Sequence, residues 1–407
     1  MKNECRCPRS AEQSVHAGAG KREAVMGDLI SYVYEFGGFT FTEKPFCEID
    51  GLVFAHLSYF MFGGIVPGID DNMPAIALCD VAQRMDWHHF ISVKWELDKN
   101  RELFYKVAFS RRYRNTRANF FVEEMDAEEG VQFCAVTFLL GNGDTFVSFR
   151  GTDDALIGWK EDFYMAYRTP VGAQLRSTEY LHQVAKLLAR KRNLRFYLGG
   201  HSKGGNLAVY AAMTCDEEVK RRIGKIYNMD GPGFRPDFMD TLDYDGVKDK
   251  ILKIVPDESF VGMLMEQKND YELIQSTEIG VQQHICFSWC VEGDHFERSQ
   301  VQQPKRKALY DRINNWIFAL EIEQVGDFIE SLFRMIEITE AKTLTDLKNV
   351  KGGEIAKKLH TMIQEYAGMN EDTKQVFWEI GGFMIEMLAK DQQERIRRWK
   401  TFEKIRQ

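Results

Sequence analysis

The chain has 407 residues, 44% of them hydrophobic, with 61 acidic against 53 basic side chains and a formal charge of −8 at pH 7. That length allows two or three units or one large α/β domain with appendages, and the apolar share can build a sizeable core. The mixed, slightly acidic charge argues against a nucleic-acid partner, and eight scattered cysteines are too sparse for a disulfide scaffold. Neither Cys5/Cys7 nor Cys286/Cys290 has the Cys-x-x-Cys spacing of a zinc site, so buried thiols in a reducing cytosol are expected, with no metal and no cofactor.

Residues 1–25 are polar and lack the apolar run of a secretory signal, which predicts a disordered tail. The most apolar window, Leu52 to Val66, is shorter than the ~18 residues of a spanning helix, so a soluble cytoplasmic protein without a transmembrane segment is expected. Apolar residues at helical spacing place helices over Asp28–Tyr34 and Ile49–Met61, the second carrying His56 as a core residue. Pro74–Phe90 and Trp95–Ser110 also read as helical. Strands are expected at Arg117–Glu123, Gly130–Leu140 and Thr145–Arg150, the last two joined by a Gly141-Asn142-Gly143-Asp144 hairpin turn.

A helix over Gly172–Arg192 leads into the strand Arg195–Gly200 and the sequence Gly200-His201-Ser202-Lys203-Gly204, followed by a further helix pattern to about Cys215. Strand, Gly-x-Ser-x-Gly turn and helix in that order describe a nucleophile elbow: the serine is pushed out of a tight turn and the next N–H is left free to meet an oxyanion. Strands at Lys225–Met229, Ile251–Val255 and Tyr271–Ser276 continue the alternation, which predicts a mostly parallel sheet flanked by helices, with the site at the strands' carboxyl ends. From Pro304 onward only helical periodicity remains, as in Phe318, Ile322, Val325 and Ile329. The expected division is therefore a tail (1–25), an α/β domain (26–303) and an all-helical C-terminal region (304–407). The basic segment Asp391–Gln407 reads as a solvated helix face.

An acyl-transfer site needs a base, a carboxylate and oxyanion donors around the serine. With the order serine, acid, histidine, the candidates for the base after Ser202 are His284, His295 and His360; His284, just past a strand and loop, is assigned. His201 is set aside as packing beside the turn. Asp257, after the strand ending at Val255, is assigned as the acid, with Glu258 beside it; Asp230 also ends a strand but lies in a Gly-Pro turn. The backbone N–H groups of Thr152 and Lys203 are the expected oxyanion donors, with the Thr152 hydroxyl available as a second donor.

Phe149-Arg150-Gly151-Thr152 with Trp159 and Asp162, the elbow run through Ala208, and Gly231-Pro232-Gly233 resemble the class 3 lipases. With Gly158-Trp159-Lys160-Glu161-Asp162, Asp230-Gly231-Pro232-Gly233-Phe234 and Gln283-His284, the chain looks more closely like a lipase-like bacterial family of unassigned function called Mbeg-like. The resemblance spans roughly Asp28 to Glu297 and implies an α/β-hydrolase fold, nucleophile Ser202, base His284 and oxyanion residue Thr152. Two departures stand out. Lys203 replaces an apolar residue, which predicts a cation at the pocket mouth and a preference for acidic or polar acyl groups. Pro256-Asp257-Glu258-Ser259 replaces the Asp-x-Val-Pro turn that carries the acid in the class 3 lipases, with Ser259 at the acid's place. The expected function is a serine hydrolase acting on small acyl-ester, thioester or lipid-like substrates. The alternatives are an amidase or peptidase, or an inactive hydrolase-fold scaffold whose C-terminal helices bind a protein.

Overall fold

The computed structural model describes residues 27–190, 194–266, 268, 270–300, 304–337, 341–343, 345–346, 375–376 and 379–380. The expected tail over 1–25, His360 and the basic segment Asp391–Gln407 lie outside them. In chain order the elements are α1 (Leu29–Phe36), α2 (Glu48–Leu57), β1 (Ile76–Ala77), α3 (Leu78–Arg84), α4 (Leu97–Phe109), β2 (Arg117–Asp126), β3 (Val131–Leu139) and β4 (Thr145–Phe149). There follow α5 (Leu156–Tyr164), α6 (Gly172–Leu187), β5 (Phe196–His201), α7 (Lys203–Thr214), α8 (Glu217–Arg222), β6 (Ile223–Met229), α9 (Pro236–Met239), β7 (Ile251–Pro256) and β8 (Glu272–Ile274). Two short strands, β9 (Val291–Glu292) and β10 (His295–Phe296), precede α10 (Pro304–Ala319) and α11 (Ile322–Glu337).

Strands β1 to β8 form one sheet in sequence order, antiparallel from β1 to β4 and parallel from β4 to β8. The β3–β4 connection is the expected hairpin, with Gly143 at φ +93°. The helix expected over Pro74–Phe90 is shorter, because Ile76 and Ala77 pair with Ala118 and Arg117 at the sheet edge and only Leu78–Arg84 is helical.

Alternate residues of the strands face opposite layers, as the period of two requires. Phe133, Ala135, Val147, Phe149 and Leu198 enter a core covered by α6 and α7, whereas Cys134, Val136, Phe138 and Phe146 enter a second core under α1, α2 and α4. With helices on both faces, central strands are apolar throughout rather than alternating, so β3 and β4 are buried almost end to end. The C-terminal helices α10 and α11 bury Ile313, Trp316, Ile317, Val325, Phe328 and Ile329 in the same core as α6 and α7. Polar bonds tie α10 down as well: Asn314 receives Met265 N at 2.8 Å and donates to Met263 O at 2.8 Å, and Tyr310 donates to Glu258 O at 2.6 Å. Among the described residues no helix is long and apolar enough to cross a membrane.

Candidate active site

Ser202 lies between β5 and α7 with φ +60° and ψ −132°, a left-handed backbone that a side chain adopts only where its surroundings enforce it. The enforcement comes from close packing. A Cβ on Gly200 would stand 2.3 Å from the Gly204 carbonyl carbon, and one on Gly204 would stand 2.1 Å from Phe149 O at the end of β4. Only glycine fits either place. Ser202 N donates to Met229 O at 2.9 Å, and Asn206 Nδ2 donates to Pro232 O at 3.1 Å and Gly233 O at 3.0 Å, fastening the elbow to the turn after β6.

That turn carries Asp230. Its carboxylate is fully buried, and Oδ2 stands 2.6 Å from His284 Nδ1 and accepts from Ser259 Oγ at 2.6 Å. Asp230 adopts φ +56°, and its N–H donates to Ile254 O at 2.8 Å. The tight Gly-Pro turn, which in the sequence counts against Asp230, is what turns the carboxylate toward the histidine. Asp257 stands elsewhere: its Oδ1 accepts from Gln283 Nε2 at 3.0 Å and its Oδ2 from Ser299 Oγ at 3.0 Å. Glu258 is likewise engaged, its N–H donating to Gln283 Oε1 at 2.8 Å and its Oε2 accepting from Gly280 N at 3.2 Å. The assigned acid and its neighbour thus hold Gln283, the residue before His284, and the carboxylate on the histidine comes one strand earlier. Ser259, at the acid's place in the resemblance, donates a hydrogen bond to Asp230. Of the other histidines, His295 is exposed beside Asp294 and Glu292, and His56 is fully buried, bonded to Asn100 Oδ1 at 2.6 Å. Burial pushes His56 down to about 4, so it is neutral at physiological pH.

Around the serine, Lys203 opens α7, where the first N–H groups of a helix have no partner within it. Its ammonium does not face the pocket mouth. It is 1% exposed, donates to Glu161 Oε2 at 3.0 Å and Gln132 O at 3.1 Å, and lies 3.7 Å from Asp162 Oδ1. Thr152 donates its hydroxyl to Asp162 Oδ2 at 2.5 Å, so that hydroxyl is already committed, and the backbone N–H is what Thr152 can offer an oxyanion. Burial raises the Asp162 carboxyl to about 6 against the pull of Lys203 and the Thr152 hydrogen bond.

Ser202, Asp162 and Lys203 line an otherwise apolar cleft enclosing about 870 Å³ of space, counted out to solvent. Its walls are Trp159, Phe163 and Phe260 from the α/β part and Trp316, Phe328 and Ile329 from α10 and α11. The C-terminal helices therefore roof the serine, a placement that their sequence periodicity could not show.

A mostly parallel sheet wrapped by helices, with a strained serine between strand and helix and a buried aspartate after β6 holding a half-buried histidine, defines an α/β-hydrolase-type fold. A family model described as Mbeg1-like matches residues 107–334, and the chain belongs to that family. The matched span holds Thr152, Ser202, Asp230 and His284. A search of curated proteins finds no match. Among solved structures the chain is similar to M37 lipase, at 16% identity over 53% of this chain and 69% of that one, with a TM-score of 0.32.

Proposed function

We propose that the protein is a serine hydrolase that cleaves carboxylic esters or thioesters with uncharged, apolar acyl groups. The observation that carries this reading is the 2.6 Å contact of His284 Nδ1 with the buried Asp230 carboxylate, beside a serine held at φ +60°. Asp230 fixes the tautomer with Nδ1–H, leaving Nε2 as the base. Ser202 Oγ attacks the ester carbonyl carbon as His284 Nε2 takes its proton, and Asp230 balances the imidazolium. The N–H groups of Lys203 and Thr152 stabilise the oxyanion, an effect typically worth ~10² to 10³ in rate per donor. His284 then returns the proton to the leaving alcohol or thiol, and water releases the acid by the same steps in reverse.

The apolar acyl preference follows from the cleft, whose two charged lining groups, Lys203 and Asp162, are engaged with each other and with Glu161 and Thr152. The scaffold reading has less support: the apolar faces of α10 and α11 are buried against the core and the cleft instead of being presented to a partner. Turnover of p-nitrophenyl butyrate by the full chain, lost in Ser202→Ala and in His284→Ala, is the expected result. A folded protein inert toward short and medium acyl esters and thioesters would refute the proposal.

A further inference from the structure

His201, the residue before the serine, faces away from the cleft into the second core, and its imidazole is bonded at both nitrogens. Nε2 lies 2.8 Å from the His284 main-chain carbonyl, and Nδ1 lies 3.1 Å from Tyr59 Oη. A carbonyl oxygen can only accept, so Nε2 carries the proton and Nδ1 accepts from the tyrosine hydroxyl. Burial, with the His284 and His56 rings nearby, holds His201 well below its usual titration range, so this single neutral tautomer persists. The His201 and His284 rings also face each other, their centroids 4.4 Å apart and their planes inclined by 31°.

Tyr59, just beyond α2, reaches a third part of the site. A Cβ built on Gly151 would stand 2.2 Å from Tyr59 Oη, 2.4 Å from His201 O and 3.1 Å from Ser202 Cβ. The His201 carbonyl of the elbow and the tyrosine hydroxyl beneath it together leave room only for glycine next to Thr152, so the oxyanion turn packs directly on both residues. Both side chains are buried, Tyr59 at 1% and His201 at 2% exposure, so water does not compete for these bonds.

We propose that Tyr59 and His201 are positioning residues, a buried polar strut from the N-terminal helical layer that sets the oxyanion turn at Gly151, the elbow and the His284 backbone in register. Neither touches substrate. The strut acts through His284, whose carbonyl it holds while Asp230 holds the ring, and through Gly151, which leads to the Thr152 N–H. Loss of the His201 bond frees the His284 carbonyl itself, so that between the anchors at Gln283 and the buried Cys286 the residue is positioned by its ring contact with Asp230 alone. A displacement of about 1 Å in such a site can lower turnover by up to ~10². This inference rests on the proposed hydrolase reading.

The test compares wild type, Ser202→Ala, Tyr59→Phe, His201→Phe and His201→Gln in the full chain, measuring kcat and KM for p-nitrophenyl butyrate alongside thermal melting. Gln places an N–H near the position of Nε2, whereas Phe keeps ring volume without a donor. The inference predicts kcat lower by about tenfold or more in His201→Phe and by a smaller factor in Tyr59→Phe, with KM within about twofold and folded melting curves. His201→Gln should regain most of the lost kcat. Unchanged kcat in folded His201→Phe and Tyr59→Phe overturns the strut while the hydrolase reading stands. A loss that Gln does not restore better than Phe overturns it too. Wild type no more active than Ser202→Ala overturns both.

Discussion

His284 Nδ1 and Asp230 Oδ2 are 2.6 Å apart, although the two residues are 54 positions apart in the chain, Asp230 directly after β6 and His284 in a turn well past β8. The pair makes Asp230, and not Asp257, the acid of the proposed triad. Asp230→Asn should lower kcat by about 10⁴, the loss typical when a triad aspartate loses its charge and the histidine tautomer is released. Asp257→Asn keeps a polar partner for Gln283 and should lower kcat by about tenfold or less, with steady-state kinetics on one ester checking both. Equal losses in the two variants would remove the distinction.

The elbow was legible because its chemistry is local. Gly200, Ser202 and Gly204 are constrained by a single strand–turn–helix, and the glycines record contacts within that turn and with the neighbouring strand. The sheet was legible from alternating apolar segments for the same reason. The acid was not, because choosing between Asp230 and Asp257 depends on which strand end faces His284 across the sheet. Lys203 was misread in another way: a cation next to a nucleophile looks exposed in sequence, but its Glu161 and Asp162 partners sit on α5, about forty residues away. The roof of α10 and α11 likewise depends on tertiary packing that periodicity does not encode.

Asp162 gives a pH signature in stability. Its carboxyl is raised to about 6 from an ordinary 3.8, so the folded state holds the proton more tightly than the unfolded chain. That contribution therefore weakens stability as pH rises from about 4 to 6, and the penalty, roughly 3 kcal/mol at most, is fully present above that window. Asp162→Asn keeps an acceptor for Thr152 and removes the ionisation. Its stability relative to wild type should rise between pH 4 and pH 7, measured by denaturant unfolding at each pH; a difference independent of pH would contradict the burial argument.

The Lys203–Glu161 pair is buried on both sides, each side chain 1% exposed. Removing one member leaves the other charged and unpaired, which typically costs about 3–5 kcal/mol. Lys203→Met should destabilise by that order, and Lys203→Met combined with Glu161→Gln by less than the sum of the two single variants. A double-mutant cycle by chemical denaturation reads the coupling; additive losses would show that the pair is not an interacting unit.

Acyl preference tests the cleft. Trp316 and Phe328 pack edge to face with centroids 5.0 Å apart, and both line the wall above Ser202. Phe328→Ala should lower stability by about 3–5 kcal/mol and raise the octanoyl-to-butyryl ratio of kcat/KM by opening the roof. Wild type should prefer p-nitrophenyl butyrate to the succinate monoester, since Lys203 is already paired. A preference for the succinyl ester would restore the acidic-substrate expectation.

The most direct test is covalent. Full-length protein treated with a fluorophosphonate probe, followed by intact mass and peptide mapping, should carry one adduct, on Ser202. Ser202→Ala should carry none and Asp230→Asn should react far more slowly. Folded wild type that stays unmodified, or an adduct that persists in Ser202→Ala, would contradict the assignment of Ser202 as an activated nucleophile.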